Sequence, residues 1–422
     1  MKKLLAVLLV AMMMLSAFAF AEGKTEITLW TYPIGNWVND EVVQEIIANF
    51  NKVHPEISVK VQYLDYQSGD DQVTTAIEAG TTPDIIMEGP ERLVVNWGAA
   101  GKMVDLSDLW TDEAKADIGA TSAALERACK GADGMYYEYP LCMTTHCMSI
   151  NYNDFEKADA LKYINEETRT WTTEDFENAL RALTEAGFMP TGIVYCGGQG
   201  GDQGTRALVK NLYGAQFTDE AHTKYTIGSE EGKKGLQKLY DLVQEGVLTA
   251  DPGIVAGDEI PLFCNGTTSM SFCWNASAEV SNKSTMAEDV KSFPMAFPSD
   301  DGVPELDGGI WGFGIFNNGD EAKIAAAKDF IRFVCDDKEQ APKSVYATGF
   351  FPARASVGDI YTGTEKEANA EFAIFMPYLG DYYQVTKNWA AQRTEWWNLL
   401  QRVFASGNIE AEVEVYSNNA NK

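Results

Sequence analysis

The stretch VVQEIIANFNKVHPEISVKVQY (Val42–Tyr63) contains the two residue periodicities that decide the fold. Its first half spaces apolar residues three and four positions apart, which predicts a helix with one buried face. His54-Pro55 ends that helix, because the residue before a proline disfavours the helical conformation. From Ile57 to Tyr63 apolar and polar residues alternate, which predicts a strand. A helix that leads directly into a strand is the repeating step of α/β proteins.

Similar elements lie on both sides of this stretch. Residues 26–30 (EITLW) predict a strand before it, and residues 72–79 and 84–87 predict a helix and an apolar strand after it. This alternation implies right-handed crossovers and a parallel sheet. Helical spacing also predicts further amphipathic helices at 172–183, 232–245 and 321–335.

The N-terminus has the pattern of a secretory signal. Lys2 and Lys3 precede an apolar run from Leu4 to Leu15, and Ala19-Phe20-Ala21 fits a small-x-small cleavage site. We expect residues 1–21 to be a signal peptide that is cleaved after Ala21. The run is shorter than a membrane span, and no lipid-attachment cysteine is present near the cleavage point. The mature chain is therefore expected to be free in the periplasm or outside the cell.

Length, charge and composition narrow the function classes. A chain of 422 residues exceeds what one hydrophobic core usually organises, which favours two lobes. The formal net charge of −29 disfavours nucleic acid and anionic lipid as partners. Seven cysteines in a chain of this size do not indicate a disulfide scaffold. Cys142 and Cys147 are expected to be buried thiols, and a bridge between Cys264 and Cys273 stays open.

No catalytic motif, metal-ligand set or cofactor motif is found in the sequence. Only three histidines exist, and HExxH, CxxC, P-loop and GxSxG patterns are absent. The stretch GGQGGDQG (Gly197–Gly204) has the form of a dinucleotide loop without a convincing downstream ribose acid, so it predicts a loop whose backbone approaches a ligand or another strand. No enzyme activity is assigned, although paired carboxylates leave an exported glycosidase open.

Eight segments together resemble the extracellular solute-binding proteins of carbohydrate ABC transporters, the maltose-binding-protein-like family. The resemblance covers essentially the whole mature chain, and each motif is loose alone but specific in combination. The matching segments are 50–59 (FNKVHPEISV), 79–85 (AGTTPDI), 97–106 (WGAAGKMVDL), 136–140 with 151–153 (YYEYP and NYN), 170–176 (TWTTEDF), 263–274 (FCNGTTSMSFCW), 307–315 (DGGIWGFGI) and 348–354 (TGFFPAR).

The resemblance implies a two-lobed α/β fold of the periplasmic-binding-protein type II kind, with a hinge and a ligand cleft between the lobes. Chain crossings are expected near 140–146, 293–298 and 336–340. Lobe one would comprise residues 22–141 and 298–337, and lobe two residues 142–297 and 338–422. The lipid-attachment cysteine of many relatives is missing, which affects tethering and leaves the fold unchanged.

The expected ligand site combines flat aromatic rings, which contact the C–H faces of a sugar, with polar groups that bind its hydroxyls. In parallel sheets such sites lie beyond the carboxyl ends of strands. Trp274 is the foremost residue, because it follows a strand-like segment and matches the family position. The full candidate set is Tyr32, Asn36, Trp37, Asp65, Tyr66, Glu88, Trp274, Asn275, Gly309, Trp311 and Arg354.

Several of these residues have a structural alternative. Trp311 alternates with Phe313 and would equally suit a buried strand, while Arg354 would equally hold a lobe together. Trp30 and Trp171 are expected in the core. A core position on a helix face is also favoured for Trp389, Trp396 and Trp397.

The sequence favours a monomeric binding protein for a mono- or oligosaccharide that delivers its cargo to the permease subunits of an ABC transporter. A second hypothesis keeps the fold and changes the solute to a polyol phosphate, a peptide or a polyamine. A phosphate would favour several arginines in the cleft, and few lie in the expected loops. A polyamine would favour acids with aromatics, which the chain has.

Overall fold

A computed structural model describes residues 24–65, 68–198, 201–380 and 389–422. The expected signal peptide and Tyr66 lie outside these ranges. None of the helices in the described ranges combines the length and the apolar character that crossing a bilayer requires. The strands are β1 Thr25–Thr31, β2 Ile57–Tyr63, β3 Ile85–Glu88, β4 Tyr139–Thr145, β5 Cys147–Asn151, β6 Ile193–Tyr195, β7 Thr249–Asp251, β8 Met270–Trp274, β9 Ser292–Met295, β10 Gly308–Ile315 and β11 Phe351–Pro352.

Helices connect most of these strands, and the helices predicted from the sequence are confirmed with small changes at their ends. They are α1 Asp40–Val53, α2 Gly69–Ala79, α3 Pro90–Arg92, α4 Asp112–Thr121, α5 Ala123–Ala128, α6 Tyr152–Lys157, α7 Thr173–Glu185, α8 Asp202–Asn211, α9 Glu230–Glu245, α10 Ala256–Cys264, α11 Ala276–Asn282, α12 Glu321–Asp336, α13 Gln340–Thr348, α14 Trp389–Ser406 and α15 Ile409–Ala420. A π-helical segment, Leu93–Gly98, continues α3.

The first lobe is built on a six-stranded sheet of order β11-β4-β10-β3-β1-β2. β1 pairs in parallel with β2 and β3, as the alternation of elements predicts. β10, however, runs antiparallel to both β3 and β4, so the sheet is mixed and not purely parallel. The connection into β10 returns from the second lobe, and no local βα crossover sets its direction.

Helix α1 shows how the opening stretch forms this lobe. Its predicted apolar face is buried, with Val43, Ile46, Ile47 and Phe50 against the sheet. The side chain of Asn39 accepts a hydrogen bond from the Glu41 amide at 3.0 Å and so caps the first turn. The burial of one helix face over a sheet with buried strands supplies most of the stability of such a layer.

The second lobe contains two smaller sheets, β8-β5-β9 and β6-β7. β5 pairs antiparallel with β8 and β9, and β6 pairs parallel with β7. Helices α14 and α15 pack on each other and on α9, which places the C-terminal end of the chain on this lobe.

Three segments connect the two lobes, and they lie side by side. His146 separates β4 from β5, residues 296–307 join β9 to β10, and residues 353–380 follow β11. The His146 amide donates to the Asp307 carbonyl at 2.7 Å, and the Leu306 amide donates to the Tyr378 carbonyl at 2.7 Å. These hydrogen bonds tie the three segments together at one junction.

The strand pairing differs from the sequence-based lobe boundaries at the third crossing. α13 contacts α12, α1 and β4, and β11 pairs with β4, so residues 340–352 belong with the six-stranded sheet. The prediction that the chain crosses near 336–340 is therefore wrong, because the break between α12 and α13 is a turn within the first lobe. The crossing that the sequence placed near 293–298 extends further along the chain, from the end of β9 to the start of β10 at Gly308.

The cysteines agree with the expectation of buried thiols. Cys142 and Cys147 are both buried and free. Cys264 and Cys273 are also free, so the bridge that the sequence left open is not formed.

Candidate functional site

Two aromatic residues of the expected site, Tyr32 and Trp37, are buried in the first lobe. Trp37 is fully buried, its indole nitrogen donates to the Ser344 carbonyl at 3.1 Å, and its ring packs edge-on against Phe313. Tyr32 is also fully buried, and its hydroxyl donates to Asp70 at 2.5 Å. The prediction that these rings lie at the cleft mouth is therefore wrong. Both rings are buried, and the polar atom of each already has a hydrogen-bond partner in the protein.

Trp30, which was expected in the core, is only partly buried beside it. The exposure of the three aromatic residues in this segment is thus the reverse of the prediction. β1 alternates its faces, and Trp30 follows the buried Leu29. Trp171 is buried, as expected, and its indole nitrogen donates to the Ala296 carbonyl at 2.9 Å.

Trp274 and Asn275 have structural contacts that account for both side chains. Trp274 is fully buried, its indole nitrogen donates to Glu279 at 3.0 Å, and Phe263 packs edge-on against it. Asn275 is partly buried and accepts a hydrogen bond from the Ala278 amide at 2.8 Å, which caps α11. The expectation of a stacking platform at Trp274 is not what this structure presents.

Arg354 holds elements of the first lobe together, which is the structural role that the sequence left open beside ligand binding. It is buried, it donates to the Pro140 carbonyl at 2.7 Å and it pairs with Asp336 at 2.9 Å. Asn36 and Asp65 are exposed. Asp65 accepts hydrogen bonds from the backbone and the hydroxyl of Ser68, at 2.7 and 2.8 Å, which shapes the loop before α2.

Glu88 belongs to a group of carboxyls at the carboxyl end of β3. It is buried and pairs with Arg92 at 2.7 Å, and Asp70 pairs with the same guanidinium at 2.7 Å. Glu91 lies 3.5 Å from Arg92, and Glu138 is fully buried nearby. Among the described residues, neither carboxyl oxygen of Glu138 has a hydrogen-bond partner.

Burial sets the protonation of this group, which we call the first-lobe acid cluster (Asp70, Glu88, Glu91, Glu138 and Arg92). Burial, and then the neighbouring Glu91 charge, raise the pKa of Glu88 well above its usual range. Burial also raises the pKa of Glu138, with Glu91 and Glu88 adding to the effect. Burial opposes ionisation of Asp70, but hydrogen bonds from Arg92 and Tyr32 outweigh it and hold the pKa of Asp70 below its usual value. Burial thus disfavours the ionised forms of Glu88 and Glu138.

Gly309 and Trp311 form a partly exposed aromatic surface on β10. The ring of Trp311 stacks on Phe350 with centroids 4.5 Å apart and 13° between the planes. Gly309 is required beneath it, because a Cβ there would lie 2.1 Å from the Trp311 ring. Trp311 is partly buried, so an edge of the stacked pair stays accessible.

The second lobe presents Trp389 and Arg393 on the first turns of α14. Trp389 is partly buried, and the guanidinium of Arg393 lies 5.0 Å from its ring centroid. The Arg393 side chain is 29% exposed, and it pairs at 2.8 Å with the fully buried carboxylate of Asp202, the first residue of α8. Trp396 and Trp397 are buried, as expected of a core helix face.

The glycine-rich loop before α8 lies beside this pair. A Cβ at Gly198 would lie 3.6 Å from the Trp397 ring of α14, and one at Gly204, in the first turn of α8, would lie 1.9 Å from the Phe272 carbonyl oxygen of β8. The backbone of this glycine-rich stretch therefore packs closely against α14 and β8, which agrees with the expectation of close backbone approach. Gln199 lies outside the described residues.

Sequence reasoning named Trp389 but favoured a core role, and it did not single out Arg393 or Arg92. A usable signal was present, because Trp389 and Arg393 are four residues apart and share one face of a helix. The partner that fixes them, Asp202, is remote in sequence, and only the fold brings it near. The structure thus offers two partly exposed aromatic surfaces as candidates, the Trp389–Arg393 pair on α14 and Trp311 on β10.

A separate cavity of about 840 Å³ lies between the lobes, lined by Val94, Ala99, Arg127 and Tyr137 of the first lobe and by residues 220–223 of the second. Of the described residues that line it, Tyr137 and His222 carry rings, and the Tyr137 hydroxyl donates to Asp133 at 2.5 Å. Within the described residues no cluster of three or more His, Cys, Asp or Glu side chains is placed to hold a metal ion. The paired aromatic and polar groups that suit a solute are found instead near α14 and β10.

Comparison with known families decides the class of protein. Residues 35–341 match the family model described as bacterial extracellular solute-binding protein. The chain belongs to this family. The resemblance seen in the sequence is thereby confirmed, and the two-lobed α/β fold follows from it.

Relatives of this solute-binding protein agree with that assignment. The arabinooligosaccharide-binding protein of Bacillus subtilis is 24% identical over 265 residues, which are 60% of this chain and 57% of that protein. The chain spans 25% and 57% of the lengths of the two curated relatives it matches.

Solved structures show the same fold. The cyclic α-maltosyl-1,6-maltose binding protein of Arthrobacter globiformis superposes with a TM-score of 0.74 at 17% identity, over 94% of this chain and 98% of that one. A putative oligosaccharide periplasmic-binding protein of Synechococcus sp. MITs9220 gives a TM-score of 0.71 at 15% identity, over the same shares.

Proposed function

We propose that this solute-binding protein is the capture component of an ABC importer and binds a mono- or oligosaccharide in the cleft between its two lobes. The observation that carries the proposal is the partly exposed Trp389–Arg393 pair anchored on the buried carboxylate of Asp202. A ring for the C–H face of a sugar beside a fixed hydrogen-bond donor for its hydroxyls is the combination that carbohydrate recognition needs.

The charges around the site favour a neutral solute. Arg393 pairs with Asp202 at 2.8 Å and Arg92 pairs with Asp70 at 2.7 Å, so a phosphate finds no uncompensated guanidinium in these two places. A polyamine would need ionised acids, and burial disfavours the ionised forms of Glu88 and Glu138. The phosphate alternative, which the few arginines of the expected loops already disfavoured, gains no support from these pairs, and the polyamine alternative loses two of its candidate acids.

The names of the relatives agree with a carbohydrate. One curated relative binds arabinooligosaccharides, and solved structures of the same fold include proteins bound to maltotriose and to α-D-tagatose. These sugars define the panel to test and do not select one member.

Capture is proposed to work by closure about the three-segment junction. A sugar that contacts Trp389 on the second lobe and Trp311 on the first binds the closed arrangement better, so it shifts the population toward closure. The closed monomer then docks on the permease subunits. We propose that export depends on cleavage after Ala21 and leaves the protein without a lipid anchor.

A thermal-shift screen of the mature protein against maltotriose, arabinotriose and tagatose tests the proposal. A sugar that binds tightly raises the unfolding temperature in proportion to the logarithm of its saturation. Titration calorimetry of the best sugar, and its recovery intact after incubation, separate binding from glycoside hydrolysis. Absence of any shift across a wide sugar panel, together with a shift from a polyamine or a polyol phosphate, would contradict the proposal.

A further inference from the structure

Five charged side chains form a buried line from the candidate site to the junction between the lobes. The line runs Arg393, Asp202, Arg206, Asp307 and Lys210, so cations and anions alternate along it. Asp202, Arg206 and Asp307 have side chains that are 0% exposed, and Lys210 is 3% exposed. Of these five side chains, only Arg393, at the end near the candidate site, reaches the protein surface, and 29% of its side chain is exposed.

The contacts along this line are close at both ends. Arg393 pairs with Asp202 Oδ1 at 2.8 Å, and Arg206 pairs with Asp202 Oδ2 at 2.6 Å, so each oxygen of this carboxylate holds one guanidinium. Arg206 Nε lies 3.9 Å from Asp307 Oδ2, and Lys210 Nζ lies 2.6 Å from Asp307 Oδ1. Asp307 immediately precedes β10, the strand that carries Trp311.

We infer that Arg206 is a positioning residue for solute binding, which acts through Asp202 to hold Arg393 against Trp389 and through Asp307 to couple that pair to the junction. Arg206 itself has no exposed atom and does not touch the solute. The inference deepens the proposed function and rests on it. Its basis is geometric, since each oxygen of Asp202 lies within ion-pair distance of one guanidinium, and removal of Arg206 leaves one side of this buried carboxylate without its cation.

Further contacts fix the position of α8, the helix that carries Asp202, Arg206 and Lys210. The guanidinium of Arg206 lies 5.4 Å from the Phe217 ring, and α8 is locked in place by the hydrogen bond from the Trp396 indole to Thr205 at 2.9 Å. Asn211, at the end of α8, exchanges hydrogen bonds with the backbone of Glu305 at 2.6 and 2.7 Å. α8 therefore connects the first turns of α14 to the segment that enters β10.

Arg206→Met tests the inference, and Lys210→Met is the matched control. Both variants remove a buried cation of α8 that faces Asp307, but only Arg206 contacts Asp202. In the sugar-free protein we expect Arg206→Met to accelerate amide exchange in residues 389–396, while Lys210→Met leaves it unchanged. Equal exchange in both variants would overturn the positioning role, and this readout needs no sugar.

A double-mutant cycle then tests the link to affinity with the panel sugar, maltotriose or arabinotriose. We expect Arg206→Met to weaken binding about tenfold and to have no further effect in an Arg393→Ala background. The same loss in both backgrounds would show a general structural effect and overturn the inference. If Arg206→Met does not fold, Arg206→Lys replaces it, because Lys retains the charge and lacks the planar fork.

The failures of the two proposals are distinguishable. If the wild-type protein binds no sugar, the proposed function fails whatever the exchange data show. If it binds sugar and the cycle is additive, only the role of Arg206 fails.

Discussion

The acid cluster of the first lobe and the charge line of the second use the same residue types in opposite ways. In the first lobe, the guanidinium of Arg92 has three carboxyls within 3.5 Å, those of Asp70, Glu88 and Glu91. Glu138 is buried nearby, and burial raises the pKa of both Glu88 and Glu138. In the second lobe, cations and anions alternate from Arg393 to Lys210 and pair with one another. The aromatic rings near these charges also differ in exposure, because Tyr32 and Trp37 in the first lobe are buried and Trp389 in the second is partly exposed.

The difference shows that a ring or a charge takes its role from its partner and not from its residue type. Trp37 is committed to the core because its indole nitrogen donates to Ser344, and Trp274 is committed by Glu279. Trp389 is partly exposed, and its partner is a guanidinium that is itself partly exposed. A side chain that faces the solute is thus identified by its own exposure together with the exposure of its interaction partner.

Trp37→Ala is expected to give the largest change in stability. It removes a fully buried indole and its hydrogen bond, so the free energy of unfolding should fall by about 3–5 kcal/mol. Urea unfolding followed by circular dichroism measures this. The folded fraction of the variant should bind the panel sugar normally, and a large loss of affinity without loss of stability would place Trp37 in the site after all.

Glu138→Gln should reveal the proton held in the first-lobe acid cluster. Because the folded pKa is raised above the reference value of 4.5, the folded chain keeps a proton that the unfolded chain releases, and the stability of the wild type falls as pH rises above that value. The variant should be more stable than the wild type at pH 8 and nearly equal at pH 4.

Urea midpoints at several pH values measure this difference, with the exposed Glu113→Gln as the control. A Glu138→Gln difference that does not change with pH would show that Glu138 is ionised in the folded protein.

Trp389→Ala is expected to separate binding from folding. It removes a partly exposed ring, so sugar affinity should fall about tenfold, about 1.4 kcal/mol, while the thermal midpoint without sugar changes little. Trp30→Ala removes a comparable partly buried tryptophan outside the site and is the control. Titration calorimetry of both variants decides, and equal affinities would remove Trp389 from the site.

Asn275→Ala should give the smallest change. Loss of the cap of α11 should lower the free energy of unfolding by about 1 kcal/mol, and Asn275→Ser should restore most of it, because serine also caps. Sugar affinity measured beside stability should stay constant. A loss of affinity in Asn275→Ala that serine does not restore would instead return Asn275 to the binding residues.

The sequence predicted the elements of the fold well, because their periodicities are local. Residues 57–63 alternate and form β2 with those bounds, and the apolar face of α1 is the one the spacing indicates. The reversal of β10 and the late third crossing were missed, because both depend on pairing between strands far apart in the chain. β11 has only two residues, too few to show any period.

The site was predicted less well, since exposure of a ring depends on remote partners. Trp37 meets Ser344, more than three hundred residues away, and Asp202 meets Arg393, nearly two hundred residues away. Gly309 and Trp311 were chosen because glycines weaken a good strand and require a reason, and the structure supplies one in the ring that covers Gly309.

The seven free cysteines have a practical consequence for following this protein in solution. Six are buried and Cys273 is partly buried, and burial raises the pKa of each thiol, so the folded chain offers almost no thiolate to an alkylating reagent. Unfolding of a lobe exposes the thiols that it buries. Thiol-labelling rates therefore report opening of either lobe without an added probe, and Cys335 in the first lobe and Cys196 in the second report each lobe separately.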